Sequence, residues 1–260
     1  MAKIKALLLD IETAPVLAHV WALFDQNVAI NQINRDWHVI SWAAKWLGEK
    51  TIMYADQRGK TNVEDDKKLL APIWQLIDEA DVLITQNGKR FDLKKLNARF
   101  LLNGYKPPSP VRHIDTLVIA KKHFAFTSNK LEYLSDKINL KHKKSTHGKF
   151  HGFELWKQCL AGNFDAWREL ERYNKQDILA LEELYTHLYP WDNSIDFNVY
   201  SNETDVRLCH CGSKDFKKKG FQFSNHAKYQ RYKCLSCGAH HTSRINVLSK
   251  EKRTNLKSGE

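Results

Sequence analysis

The apolar run near the start of the chain, in MAKIKALLLDIETAP, is cut by two carboxylates, Asp10 and Glu12, two positions apart. Residues 3 to 9 have the composition of a buried strand, and on a strand residues two apart project from the same face. A fold that accepts this must carry the strand to the edge of its core. There the paired carboxylates need water or a cation, because two like charges so close repel and shift each other's titration. Hard carboxylate oxygens suit Mg²⁺ or Mn²⁺. A solvated strand end gives the same pattern, so the pair acquires meaning only from what the rest of the chain supplies.

That remainder reads as strands first, then strands alternating with helices. Residues 39–46 and 51–55 are strands around a Gly48 turn, and Leu69, Leu70, Ile73, Leu76 and Ile77 recur at helical spacing. A short apolar strand covers 82–85. A helix over 91–102 is stopped by GYKPPSP, a strand and helix fill 113–124, and another helix covers 131–138. A basic polar loop from 140 to 152 precedes a long helix, 164–188, stopped by Pro190. This order indicates an α/β domain with a mixed sheet over residues 1–200. From Val206 the texture changes to Cys, Gly, Lys and aromatic residues, so a second small domain is expected over 206–247. Residues 248–260 read as a disordered basic tail.

The long helix and the 87–99 segment hold the other informative acids. In RYNKQDILALEELY, Tyr173 and Asp177 are four apart and share a helix face beside a leucine stripe, where a carboxylate needs a partner or a metal. In NGKRFDLKKLNARF, Gly88 permits a tight turn and Asp92 falls in the first turn of a helix. Asp115 is read as a helix N-cap in preference to a fifth ligand, and His113 as a satisfied, partly buried histidine. Trp37, Trp42 and Trp46 are assigned to the core, and Cys159 to a buried helix position.

Together the order Asp10-x-Glu12, Asn87-Gly-x-x-Phe91-Asp92 with Leu96 and Arg99, and Tyr173-x-x-x-Asp177 resembles the DEDD superfamily of 3′–5′ exonucleases, in its Tyr variant. That superfamily includes the DnaQ-like enzymes and polymerase proofreading domains, and its fold is ribonuclease H-like. The resemblance covers residues 5–190. It implies a mixed sheet flanked by helices, four metal-binding carboxylates in Asp10, Glu12, Asp92 and Asp177, and Tyr173 as the residue that positions the attacking water. It also implies two divalent ions, Mg²⁺ or Mn²⁺, ~3.5–4 Å apart on the scissile phosphate.

The small domain adds a second metal. Cys209 and Cys211, then Cys234 and Cys237 after 22 intervening residues, place two thiols on each of two tight turns. Four thiolates suit one structural Zn²⁺, and a domain this small needs such a staple. The first pair is Cys-x-Cys, one residue shorter than the usual knuckle, which leaves His210, His240 or His241 as alternative ligands. The segment resembles the zinc ribbons of insertion-sequence transposases.

Net charge is +11, and residues 201–260 hold 13 Lys/Arg against 5 Asp/Glu, so most of the excess lies in this small domain. Lys217, Lys218, Lys219, Lys228, Arg231 and Lys233 interleave there with Tyr229, Tyr232 and three phenylalanines. That mixture suits phosphate contact and base stacking. No run reaches the ~18 apolar residues of a membrane span, and a cytoplasmic location is expected.

The expected partner is DNA, at single-stranded 3′ ends, with RNA open; a polymerase partner is not readable. The expected activity is 3′–5′ exonucleolytic hydrolysis. The alternatives are an RNA-trimming or structure-specific nuclease, and a zinc-ribbon binding protein whose exonuclease domain is inactive.

Overall fold

The structure, a computed structural model, describes residues 4–143, 148–192, 194–200 and 206–257. It divides into two compact units, Lys5–Tyr185 and the chain from Thr186 onward.

The larger unit opens with β1 (Ala6–Thr13), followed by the short hairpin β2 (Leu17–Ala18) and β3 (Ile33–Arg35). Strands β4 (Val39–Trp46) and β5 (Ile52–Asp56) lead to helix α1 (Lys67–Glu79), then β6 (Val82–Thr85) and α2 (Asp92–Leu102). Next come β7 (Arg112–Asp115), α3 (Thr116–His123), α4 (Leu131–Lys137), α5 (Glu154–Leu160) and the long α6 (Phe164–Leu188). The main sheet has the order β5-β4-β1-β6-β7. Its first three strands pair antiparallel, while β6 and β7 join parallel. The expected mixed α/β sheet flanked by helices is the architecture found.

Strand alternation sorts β1. Leu7, Leu9 and Ile11 enter a core with Leu69, Leu70 and Ile73 of α1 and Leu96 and Phe100 of α2. The other face, which carries Asp10, looks toward α6. A second core lies on that side, where Ala14 and Ile40 meet Leu155, Cys159, Trp167 and Leu170. Cys159 is fully buried there, and burial raises its thiol to about 12.

Two elements lack an obvious sequence signal. The β2–β3 hairpin leaves Trp21, Leu23, Phe24 and Ile30 exposed, Trp21 at 97%. Helix α5 has only seven residues, too few for its period to stand out. The basic loop is held at both sides of residues 144–147, which lie outside the described residues. Glu183 accepts the backbone N–H groups of Lys141 and His142, each at 2.9 Å, and Glu169 accepts those of Gly148 (2.8 Å) and Lys149 (3.0 Å).

The smaller unit contains β8 (Phe216–Ser224), β9 (Ala227–Cys234), β10 (His240–Asn246) and the short helix α7 (Lys250–Thr254). Its sheet order is β10-β9-β8, antiparallel throughout. The unit begins at the end of α6, earlier than the change in composition near Val206. The reason is aromatic packing: the rings of Tyr189 and Phe197 lie 5.8 and 4.9 Å from that of His210. The tail also differs from the expected disorder. Ser249 caps α7 by accepting the Lys252 N–H at 3.2 Å, while residues 258–260 lie outside the described residues. No helix among the described residues is long and apolar enough to cross a membrane.

Candidate active site and metal centre

The pairing of β1 explains where its carboxylates go. Its parallel contact with β6 covers only Ala6, Leu7 and Leu8, so the strand runs on past its neighbour. The backbone N–H of Ile11, left without a strand partner on that side, donates instead to Asp92 Oδ1 at 3.1 Å. Asp92 is thereby seated against the segment that carries Asp10 and Glu12. It is only 3% exposed, and burial, reinforced by the negative charge of Asp115 and opposed by the Ile11 N–H, pushes its carboxyl up to about 7.

The turn that delivers Asp92 is fixed by close packing. Asn87 has φ 67°, and Asp115 accepts its N–H at 2.8 Å and that of Lys89 at 3.1 Å. A Cβ on Gly88 would sit 2.2 Å from Thr85 Oγ1, so no larger residue fits. Asp115 also caps α3 through the Leu117 N–H at 3.0 Å. It therefore serves as the expected N-cap and as a clamp on the Asn87 turn.

Helix α6 closes the site. Asn174, fully buried, donates from Nδ2 to Asp10 Oδ2 at 2.5 Å and accepts from the Ser41 hydroxyl at 3.2 Å. One residue before it, Tyr173 sets its ring edge-on to Trp156, with centroids 6.0 Å apart. Asp177, one turn later and 4% exposed, lines a cleft of about 590 Å³ together with Asp10. The structure thus gathers Asp10, Asp92 and Asp177 from three elements, with Tyr173 one turn before Asp177 on α6 and Glu12 two residues along β1 from Asp10.

Against this geometry, the profile of the RNase_H superfamily matches residues 36–189. The chain belongs to the RNase_H superfamily. The matched segment holds Asp92, Tyr173 and Asp177 and begins after Asp10 and Glu12. A solved structure similar to this RNase_H-superfamily chain is the family B DNA polymerase from the hyperthermophilic archaeon Pyrobaculum calidifontis. The TM-score is 0.51 and the identity 15%, over 73% of this chain and 25% of that one. At that identity the likeness is one of fold, and the chain spans a quarter of the polymerase's length. No curated protein matches it.

Sequence reasoning missed several residues of the site. Asn174 had a signal: it is a polar residue at i+4 from Leu170 and i−4 from Ile178, inside the buried stripe of α6. Trp37 departs from the core placement expected for it alongside Trp42 and Trp46. Trp42 is buried, donating Nε1–H to Leu69 O at 2.8 Å. Trp37 is only half-buried, with Lys95 Nζ 3.9 Å above its ring, beside a second cavity of about 460 Å³ lined by Thr13, Phe153 and Trp156. His113 is satisfied as expected, its Nε2 2.7 Å from Thr85 Oγ1, and burial lowers it to about 4.

The four cysteines of the RNase_H-superfamily chain converge in the smaller unit. Cys209 and Cys237 sulfurs are 3.4 Å apart, and those of Cys211 and Cys234 3.7 Å. All four sulfurs lie within 4.8 Å of one another, making this the one such His/Cys/Asp/Glu group among the described residues. A tetrahedral ion with Zn–S near 2.3 Å sets sulfurs ~3.8 Å apart, so the quartet could hold zinc. The Cys-x-Cys turn is completed by Gly212 (φ 82°), whose N–H reaches Cys209 O at 2.8 Å. None of the three candidate histidines belongs to the group; His241 Nε2 instead lies 3.3 Å from Cys209 Sγ.

The basic and aromatic residues that interleave in sequence are sorted by strand alternation. Lys217 stands opposite Lys233, and Lys219, Arg231 and Tyr229 share their face. Lys218, Lys228 and Tyr232 belong to the other face. There Lys228 Nζ lies 4.0 Å from the Phe221 ring centroid, and Arg207 is stacked 3.9 Å over Tyr232.

Proposed function

We propose that the chain is a metal-dependent 3′–5′ exonuclease that removes nucleotides from DNA ends by two-ion phosphodiester hydrolysis. On this reading its four-cysteine ribbon holds one Zn²⁺ and aids nucleic-acid binding through Lys217, Lys219, Arg231, Lys233 and Tyr229. The observation that carries the reading is the convergence of Asp10, Asp92 and Asp177: the Ile11 N–H holds Asp92, Asn174 holds Asp10 across 164 residues of chain, and Asp177 shares a cleft with Asp10.

The donor set fits divalent cations. Asp92 and Asp177 are buried hard-oxygen ligands beside Asp10 and Glu12, and burying like charges together is costly without a cation. No three of these carboxylates bring oxygens within 4.8 Å of one another. Mg²⁺ or Mn²⁺, when bound, supplies positive charge to the phosphate and acidifies a water.

The protein's own part is placement. Asn174 fixes the rotamer of Asp10, the Ile11 N–H fixes Asp92, and Trp156 limits the swing of the Tyr173 ring. Tyr173 orients the attacking water through its hydroxyl; a phenol with an ordinary pKa of ~10 is a poor general base at neutral pH. His113 already engages Thr85 Oγ1 through its Nε2.

Digestion of 3′- and 5′-end-labelled DNA and RNA with Mg²⁺ or Mn²⁺ tests the proposal. Stepwise loss from the 3′ end is expected, abolished by chelator, by Asp10→Ala and by Asp177→Ala with the fold intact. Tyr173→Phe should slow the reaction without abolishing it. Full activity in chelator or in either aspartate variant would end the two-ion reading. Degradation of RNA alone would replace DNA as substrate.

A further inference from the structure

We infer that Arg90, Lys121 and Lys130 form a phosphate-binding wall across the cleft from Asp10 and Asp177, holding the backbone of the nucleic-acid strand whose end is cleaved. The inference rests on the nuclease reading and adds to it the place where the strand lies.

The three cations come from three separate elements and meet at one cleft. Arg90 precedes α2 by two residues, Lys121 lies on α3, and Lys130 directly precedes α4; all three line the cavity that Asp10 and Asp177 also line. Each is exposed, and none forms an ion pair among the described residues. Glu132 is the one other acid of the lining. Cations that converge on a cleft without carboxylate partners raise the local potential and attract an anion.

The cleft walls are fixed before any ligand arrives. Gln86 donates from Nε2 to the backbone carbonyl of Asn129 at 2.8 Å, tying the segment before α4 to the end of β6. The Thr116 hydroxyl donates to Thr85 O at 2.9 Å and seats α3 on the same strand end. Leu117 and Lys121, four apart on α3, both line the cleft, so Lys121 rises from a packed helix face. A preset arrangement of this kind costs little ordering on binding.

The ligand chemistry follows from charge layout and size. About 590 Å³ is within the ~300–1,000 Å³ range of ligand clefts. Its lining combines two metal-suited carboxylates, Asp10 and Asp177, with three cations that have no ion pair among the described residues. A single small anion would satisfy one of the two groups. A phosphodiester chain satisfies both, with the scissile phosphate at the carboxylates and the next phosphates on Arg90, Lys121 and Lys130. Contacts of this kind set the position of the strand and carry no sequence information, so binding here is sequence-independent.

The test uses the full chain and a short fluorescein-labelled single-stranded DNA, with affinity read by anisotropy in EDTA over a salt series. The Lys121→Ala/Lys130→Ala double variant should bind about tenfold more weakly. Its salt slope should be shallower by ~1.4, at ~0.7 per lost phosphate contact. Lys121→Arg/Lys130→Arg should bind like the unaltered chain, and Lys94→Ala, on the exposed side of α2, serves as the control for loss of a lysine outside the cleft. Unchanged affinity and slope in the double alanine variant, in a chain that unfolds at the same temperature, would overturn the wall. Hydrolysis in Mn²⁺ separates the two readings. Wall-dependent binding without cleavage would remove the nuclease and leave the wall, whereas cleavage with wall-independent binding would do the reverse.

Discussion

Asp66 is the side chain whose loss should cost the larger unit most. It is fully buried and accepts four hydrogen bonds: from Arg99 Nε (2.7 Å) and Nη2 (2.8 Å), Asn103 Nδ2 (2.9 Å) and the Val39 N–H (3.0 Å). One carboxylate thus joins the start of α1, the start of β4 and the second half of α2. Asp66→Ala would strand the Arg99 guanidinium, itself only 14% exposed, and leave two further donors unpaired. Breaking a buried pair from one side costs about 3–5 kcal/mol, a large share of the roughly 5–15 kcal/mol that holds an ordinary domain. Removing both partners should cost less than removing one, because no orphaned charge remains. Asp66→Leu/Arg99→Leu is therefore expected to lose under half as much as Asp66→Ala. Urea unfolding followed by far-UV circular dichroism reads both variants, taking the transition of the larger unit. A loss below ~1 kcal/mol for Asp66→Ala, or a double variant worse than the single, would refute the reasoning. Since Arg99 and Asp92 lie on the same helix, the single variant should also slow the proposed hydrolysis without any change to a carboxylate of the candidate site.

Three further outcomes are expected. Gly88→Ala should destabilise by at least about 2 kcal/mol, and Thr85→Ala should not rescue it, because the added Cβ also falls 2.6 Å from Thr85 Cβ; rescue seen by thermal melting would refute the packing account. Metal analysis should find one zinc per chain, reduced and easily chelated in Cys234→Ser, and tight zinc in that variant would show that the cysteine quartet is not the site. His113 sits at about 4 in the fold against 6.5 when unfolded, so its contribution is full above about 6.5 and lost as pH falls toward 4. His113→Gln should flatten the fall in melting temperature across that window, and identical slopes would show that another group is responsible.

Much of the larger unit was legible because its strands and helices carry unmixed periods: Val39–Trp46, Val82–Thr85 and Phe164–Leu188 lie where alternation, apolar runs or 3.6-residue spacing place them. The β2–β3 hairpin was not, since a two-residue strand has no period to detect and its apolar side chains point outward. In the candidate site, the acidic residues proposed as ligands were named by type and spacing, but what holds them could not be. Asn174 and Ile11 act through contacts that span 164 and 81 residues, and the Ile11 contact uses only its backbone. Arg99, read as part of a motif with Asp92, turns out to serve Asp66, a pairing no local pattern reveals. In the ribbon, composition gave the mixture of lysines and aromatics, but only the register of β8 on β9 shows which of them share a face.

The overrun of β1 past β6 makes strand length a quantity under constraint. Parity decides which side of the sheet receives the acids: one residue inserted between Leu8 and Asp10 would turn both carboxylates toward α1 and α2, into the core. Two inserted residues would restore the side but carry Asp10 ~6.6 Å farther along the strand, beyond the Asn174 amide that now meets it at 2.5 Å. The strand therefore acts as a ruler whose zero is the end of β6. Homologous chains should tolerate added length in the hairpin that follows Thr13, where nothing is measured, and none in the three residues from Leu8 to Asp10.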